Sequence, residues 1–64
     1  MLIYLVIMET FDSKTFKKLV EGPIAAFKQK EDAEKCVDHW VKYDQEYPQL
    51  GIHTKYKVIT TYLQ

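Results

Sequence analysis

The chain has 64 residues, 47% of them hydrophobic, with nine acids balanced by nine basic residues. That apolar content excludes a disordered chain, and the single cysteine, Cys36, excludes an internal disulfide. All nine basic residues are lysines, so the bidentate guanidinium fork that phosphates and bases favour is absent, which argues against a dedicated nucleic-acid binder.

The first element is an unbroken apolar run, Met1-Leu2-Ile3-Tyr4-Leu5-Val6-Ile7-Met8. A strand wet on one face alternates apolar and polar side chains; a continuous run predicts a strand covered on both faces. It is expected from about Leu2 to Thr10, with Leu2, Tyr4, Val6 and Met8 on one face and Ile3, Leu5, Ile7 and Glu9 on the other. The run is too short to cross a bilayer, which takes about 20 residues. It has neither the basic start nor the small-residue cleavage site of a signal peptide, so a cytoplasmic protein is expected, as a lone thiol also suggests. Phe11-Asp12-Ser13-Lys14 reads as a turn.

Residues 15–27 admit two readings. As a strand, Thr15 to Glu21 runs into Gly22-Pro23, a place for a bulge or edge interruption, and resumes as Ile24-Ala25-Ala26-Phe27. As a helix, Asp12 or Ser13 caps a stripe of Phe16, Leu19 and Val20 that Gly22 ends. The strand is favoured because it gives a short hairpin and delivers the chain directly to the next element. That element is a helix: acids Glu31 and Asp32 complement its N-terminal dipole, and Ala33, Cys36, Val37, Trp40, Val41 and Tyr47 form an apolar stripe. Glu31–Lys35 and Asp38–Lys42 have the spacing of helical ion pairs, and Pro48 stops the helix near Glu46 or Tyr47. A last strand, from about Thr54 to Leu63, is rich in β-formers.

The order β-β-α-β over one domain, residues 1–64, predicts an α+β fold: a three-stranded sheet in order 2-1-3 with one helix on one face, through a right-handed crossover. One helix covers one face, and a four-residue apolar row on the other is large enough to matter. A core of this size supplies at most about 3–5 kcal/mol, and small domains without disulfides or metals commonly compensate by oligomerising. A homodimer is therefore expected, with Tyr4, Val6, Met8 and Tyr62 assigned to the self-association face; the inverted register, with Ile3, Leu5 and Ile7 outward, stays open because both rows are apolar.

No constellation carries catalysis. Cys36, His39 and His53 match no zinc spacing, and Cys36 lies on the apolar stripe, where a thiol is inert core. The carboxylates fall on a solvated helix face rather than in a pocket, and Gly22 and Gly51 are too isolated for a phosphate loop. No enzyme activity, cofactor, metal or membrane association is expected. Charge is uneven: Lys30 to Glu46 carries six acids and three lysines, the rest of the chain six lysines and three acids. Glu31, Glu34 and Asp38, with Tyr43, are the residues assigned to an external protein partner. Tyr4, Tyr56 and Tyr62, with Lys55 and Lys57, would suit single-stranded nucleic acid or a nucleotide only if the tyrosines faced solvent.

The apolar opening strand, the segment Ile24-Ala25-Ala26-Phe27, the helix start Lys30-Glu31-Asp32-Ala33-Glu34 and the closing Tyr56-Lys57-Val58 together resemble small uncharacterised β-β-α-β domains of bacteriophages and bacteria. The resemblance spans nearly the whole chain and implies a phage or mobile-element source. Small phage proteins of this kind often bind and disable a host protein, including one of a defence system; with the unmatched apolar face, the acidic helix and the missing catalytic groups, a non-enzymatic module that binds, and inhibits or modulates, a host or phage protein is expected. The alternatives are a nucleic-acid or nucleotide-ligand binder and a structural subunit of a larger complex.

Overall fold

The computed structural model describes residues 1–63 as strand β1 (Leu2–Asp12), strand β2 (Lys18–Phe27), helix α1 (Lys30–Glu46) and strand β3 (Ile52–Tyr62). The sheet is antiparallel throughout, in order β2-β1-β3, and the helix packs on one face of all three strands. The β-β-α-β arrangement and the central place of the first strand are as expected.

The ambiguous stretch is a strand from Lys18 onward. Pairing with β1 shifts between Val6, opposite Ala25, and Ile7, opposite Pro23, so Ile24 is the extra residue of a bulge beside Gly22-Pro23. Proline has no N–H to give the ladder, and the bulge accommodates it at the sheet edge. The first strand runs two residues further than expected, and the turn follows at 13–17. Asp12 organises it: the amides of Lys14 and Thr15 donate to its Oδ1 at 2.8 and 3.0 Å, an Asx turn that replaces lost ladder bonds. Phe16, at φ 60, takes the left-handed position of this turn and stands 77% exposed.

The helix begins after Gln29, whose backbone is extended but whose side chain caps nothing. Its ion pair among the described residues is Lys30–Glu34, at 3.9 Å, rather than Glu31–Lys35 or Asp38–Lys42. Tyr47 closes it with its N–H on the Tyr43 carbonyl, and Gly51, at φ 82, makes the left-handed turn into β3.

Residues directly opposite on paired strands share a face. Met8 lies opposite Tyr56, and Val6 opposite Val58. Tyr56 reaches the helix, donating its hydroxyl to Asp44 Oδ2 at 2.6 Å. The row Tyr4, Val6, Met8 is therefore the helix-covered one, and Val6 is wholly buried there with Ala33. This corrects the assignment of Tyr4, Val6, Met8 and Tyr62 to an open face, and the inverted register holds: Ile3, Leu5 and Ile7 point away from the helix. The cause lies in β3. Lys55 and Lys57 alternate with Tyr56 and Val58, and the lysines take the wet face; pairing then carries Met8 and Val6 under the helix.

Candidate functional site

The open face of the sheet is built from the odd-numbered row of β1 and its cross-strand neighbours. Leu5 lies opposite Ile59 on one side and Ala26 on the other, and Ile3 lies opposite Thr61. Among the described residues no element packs over this face as the helix does over the other, yet one half of it is apolar: Ile59 is 40% exposed, Ile3 and Leu5 are half-buried, and Ile7, opposite Lys57, is buried.

The other half is ionic. Glu9, on the central strand, meets Lys18 of β2 at 3.2 Å and Lys57 of β3 at 3.2 Å. Glu21 of β2 meets the same lysines, each at 3.1 Å. Two carboxylates and two ammonium groups thus form a closed ring across three strands. The lysine hydrogen bonds hold the Glu9 and Glu21 carboxyls below their ordinary range and raise both lysines, Glu21 being the larger cause for each. Lys55, outside the ring of charges, and Lys18, within it, stand 5.7 and 6.0 Å from the Phe11 ring centroid, within cation–π reach.

The helix-covered side has its own opening. Contact is tightest at Ala33; the second half of the helix and the sheet bound a cleft of about 650 Å³, lined by Met8, Ile24, Trp40, Val41, Ile52 and Tyr56 among others. The stripe that touches the sheet continues from Ala33, Val37 and Trp40 to Asp44, not to Tyr47, which is 62% exposed. Burial, and then the Asp44 carboxylate, push the Tyr56 hydroxyl well above its ordinary pKa, so it stays a neutral donor. Asp44 went unmarked as a site residue in the sequence; its position four residues beyond Trp40 was the available signal.

The residues assigned to an external partner divide. Glu31, Glu34 and Asp38 are exposed on one flank of the helix, and Glu34 and Asp38 border a shallow groove with Lys57 and Val58 of β3. Tyr43 is on the cleft side, edge-to-face with Trp40 and tilted against Tyr47, with ring centroids at 5.6 and 4.9 Å. Of the sheet tyrosines, Tyr4 and Tyr56 lie on the helix side and only Tyr62 stands well exposed, so no stacking platform of three rings with lysines is assembled.

Among the described residues no three His, Cys, Asp or Glu side chains gather as a metal set, and no helix is long and apolar enough to cross a membrane. The chain matches no family model, no curated protein and no solved structure.

Proposed function

We propose that this chain is a non-enzymatic protein-interaction module whose open sheet face docks on another protein. The observation that supports it is surface area. The chain exposes 5170 Å², whereas a compact chain of 7.6 kDa exposes about 4300 Å². The excess of about 900 Å² belongs to the whole surface, the cleft under the helix included, and leaves apolar area that a partner can cover. The open face has the anatomy such an interface needs, an apolar half around Leu5 and Ile59 and a ring of fixed charges beside it. The resemblance to small phage and bacterial domains favours a host or phage protein as the class of partner, with inhibition or modulation of that protein as the outcome.

The test is retention from bacterial lysate on three tagged chains: wild type, Leu5→Lys, and the double variant Glu34→Lys with Asp38→Lys. A protein held by the wild type and the helix variant but lost from Leu5→Lys supports docking through the open face. Retention lost only from the helix variant moves the site to the acidic flank. Retention of nothing, or retention indifferent to both changes, sinks the interaction reading.

A further inference from the structure

Sheet edges are dangerous, because their unpaired N–H and C=O groups recruit any strand that fits. The two edges of this sheet are treated differently. β2 is blunted: Gly22-Pro23 removes a donor, and the pairing shifts register twice. β3 pairs with β1 over eleven residues with no shift, no proline and no glycine. Its last five residues, Val58-Ile59-Thr60-Thr61-Tyr62, carry no charge and are strong β-formers.

The outward groups of β3 can be identified. Leu63 N–H donates to the Met1 carbonyl at 2.8 Å, and the Met1 amino group donates back to the Leu63 carbonyl at 3.2 Å. At the other end, Ser13 N–H donates to the Gly51 carbonyl at 3.1 Å. Reciprocal bonding marks an antiparallel hydrogen-bonded pair, and such pairs alternate along a ladder. With an unbroken register, the odd residues of β3 bond to β1. The even residues, Tyr56, Val58, Thr60 and Tyr62 among them, direct N–H and C=O to the free edge.

We propose that this edge is filled by β3 of a second copy, antiparallel about a two-fold axis at Ile59. Charge excludes the registers nearest the lysines, and aromatic pairing chooses among those left: a joint centred on Val58 also spares the lysines but sets Tyr56 against Thr60. A joint centred on Lys57 sets that lysine against its own copy, and one centred on Tyr56 sets Lys55 against Lys57; like charges directly opposite are destabilising. Centred on Ile59, every lysine meets an uncharged residue: Lys57 faces Thr61 of the second copy. Tyr56 then pairs with the second copy's Tyr62, an aromatic cross-strand pair, and the two Ile59 side chains meet in the close, non-hydrogen-bonded position. Even residues face even residues, so all outward N–H and C=O groups within the joint find partners.

Opposite residues share a face, so both helices lie on one side of a continuous six-stranded sheet, β2-β1-β3-β3-β1-β2. The two open faces merge on the other side, with their Leu5–Ile59 apolar halves adjoining. The joint thus doubles the docking surface instead of consuming it, and its failure leaves the docking proposal standing. Glu34 and Asp38 of both copies flank the joint, so screening of their repulsion by salt tightens the dimer.

The experiment is mass by sedimentation over a concentration series, with residue-resolved amide exchange. The expected result is twice 7.6 kDa, with the Val58, Thr60 and Tyr62 amides protected. Thr60→Pro removes one outward N–H without touching the bonds to β1. It is expected to weaken dimerisation at least 100-fold while the circular dichroism of the fold is kept. Should that variant not fold, Ile59→Lys, which sets like charges face to face, serves the same purpose. A monomer at every concentration overturns the proposal. So does a dimer whose Val58, Thr60 and Tyr62 amides exchange freely, or a folded Thr60→Pro or Ile59→Lys chain that remains dimeric as tightly as the wild type.

Discussion

Val6→Asp and Leu5→Asp, adjacent on the same strand, are expected to have opposite consequences. Val6 has no exposed surface and sits between the sheet and the helix with Ala33. Truncation to Ala removes two carbon groups, worth about 1.6 kcal/mol at about 0.8 kcal/mol per buried methylene. Incomplete collapse of the space left behind raises this to roughly 2–3 kcal/mol. Aspartate does more, because an unpaired buried charge costs several kcal/mol. A core of this size supplies no more than about 3–5 kcal/mol, so Val6→Asp consumes the whole stability and the chain is unfolded at 25 °C. Leu5 is half-buried on the face away from the helix, where the tip of a new carboxylate still reaches water, and Leu5→Asp costs about 1 kcal/mol, or about 4–8 °C in Tm for a domain of this size.

The assay is thermal and urea unfolding followed by far-ultraviolet circular dichroism, with the single indole, Trp40, as a second probe. Val6→Asp is expected to show no cooperative transition, Val6→Ala a reduced midpoint, and Leu5→Asp a near-native melt. A folded Val6→Asp beside an unfolded Leu5→Asp would falsify the placement of the two faces, and with it the docking surface and the edge pairing built on it.

The charge ring gives a pH dependence with a definite sign. Glu9 and Glu21 have folded pKa values below their ordinary 4.5, so their contribution is fully present above that pH and is lost as pH falls through the lowered values. Asp12, held down first by the Thr15 amide and then by that of Lys14, adds to the same acid limb. Lys18 and Lys57 are raised above 10.5, so theirs is fully present below that pH and fades as pH climbs through the raised values. The urea midpoint should therefore be flat between about pH 5 and 10 in these groups and fall on either side. Glu9→Gln should shrink both limbs; an unchanged profile would show that the ring does not couple to folding. At the helix start, Gln29 has the extended backbone of a cap residue (φ −114, ψ 133) without a side-chain bond. Gln29→Ser should supply one and raise stability by about 0.5–1 kcal/mol; an unmoved Tm would mean that the first-turn amides are already satisfied.

The elements were legible because each carries a local cause. Proline and glycine sit where β2 bulges, acids open the helix, Pro48 follows its end, and β-branched residues fill β3. The facing of the sheet was not legible in β1, since Ile3, Leu5 and Ile7 are as apolar as Tyr4, Val6 and Met8. It was legible in β3, where Lys55 and Lys57 can lie on only one side of a covered sheet, once β3 is registered against β1. A uniformly apolar central strand takes its orientation from its polar neighbours, and such a strand should be assigned last. The charge ring was hidden for the same reason: Glu9, Lys18, Glu21 and Lys57 lie on three strands, and only the register brings them within 3.2 Å.

If the open face docks as proposed, its two halves have separate tasks. An uninterrupted apolar face on so small a domain would invite indiscriminate association. The ring of two carboxylates and two lysines, already satisfied within the chain, resists burial against a surface that cannot pair with it. On the proposed docking it therefore limits where a partner can sit, and Leu5 and Ile59 are the attractive part. Specificity arising from the penalty on a wrong partner, and affinity from the apolar half, is the general pattern of selective interfaces. Neutralising the ring with Glu9→Gln and Lys57→Gln should accordingly broaden the set of proteins retained while leaving retention of the true partner within a few-fold. If the double variant instead loses that partner and gains none, the ring is itself the recognised feature.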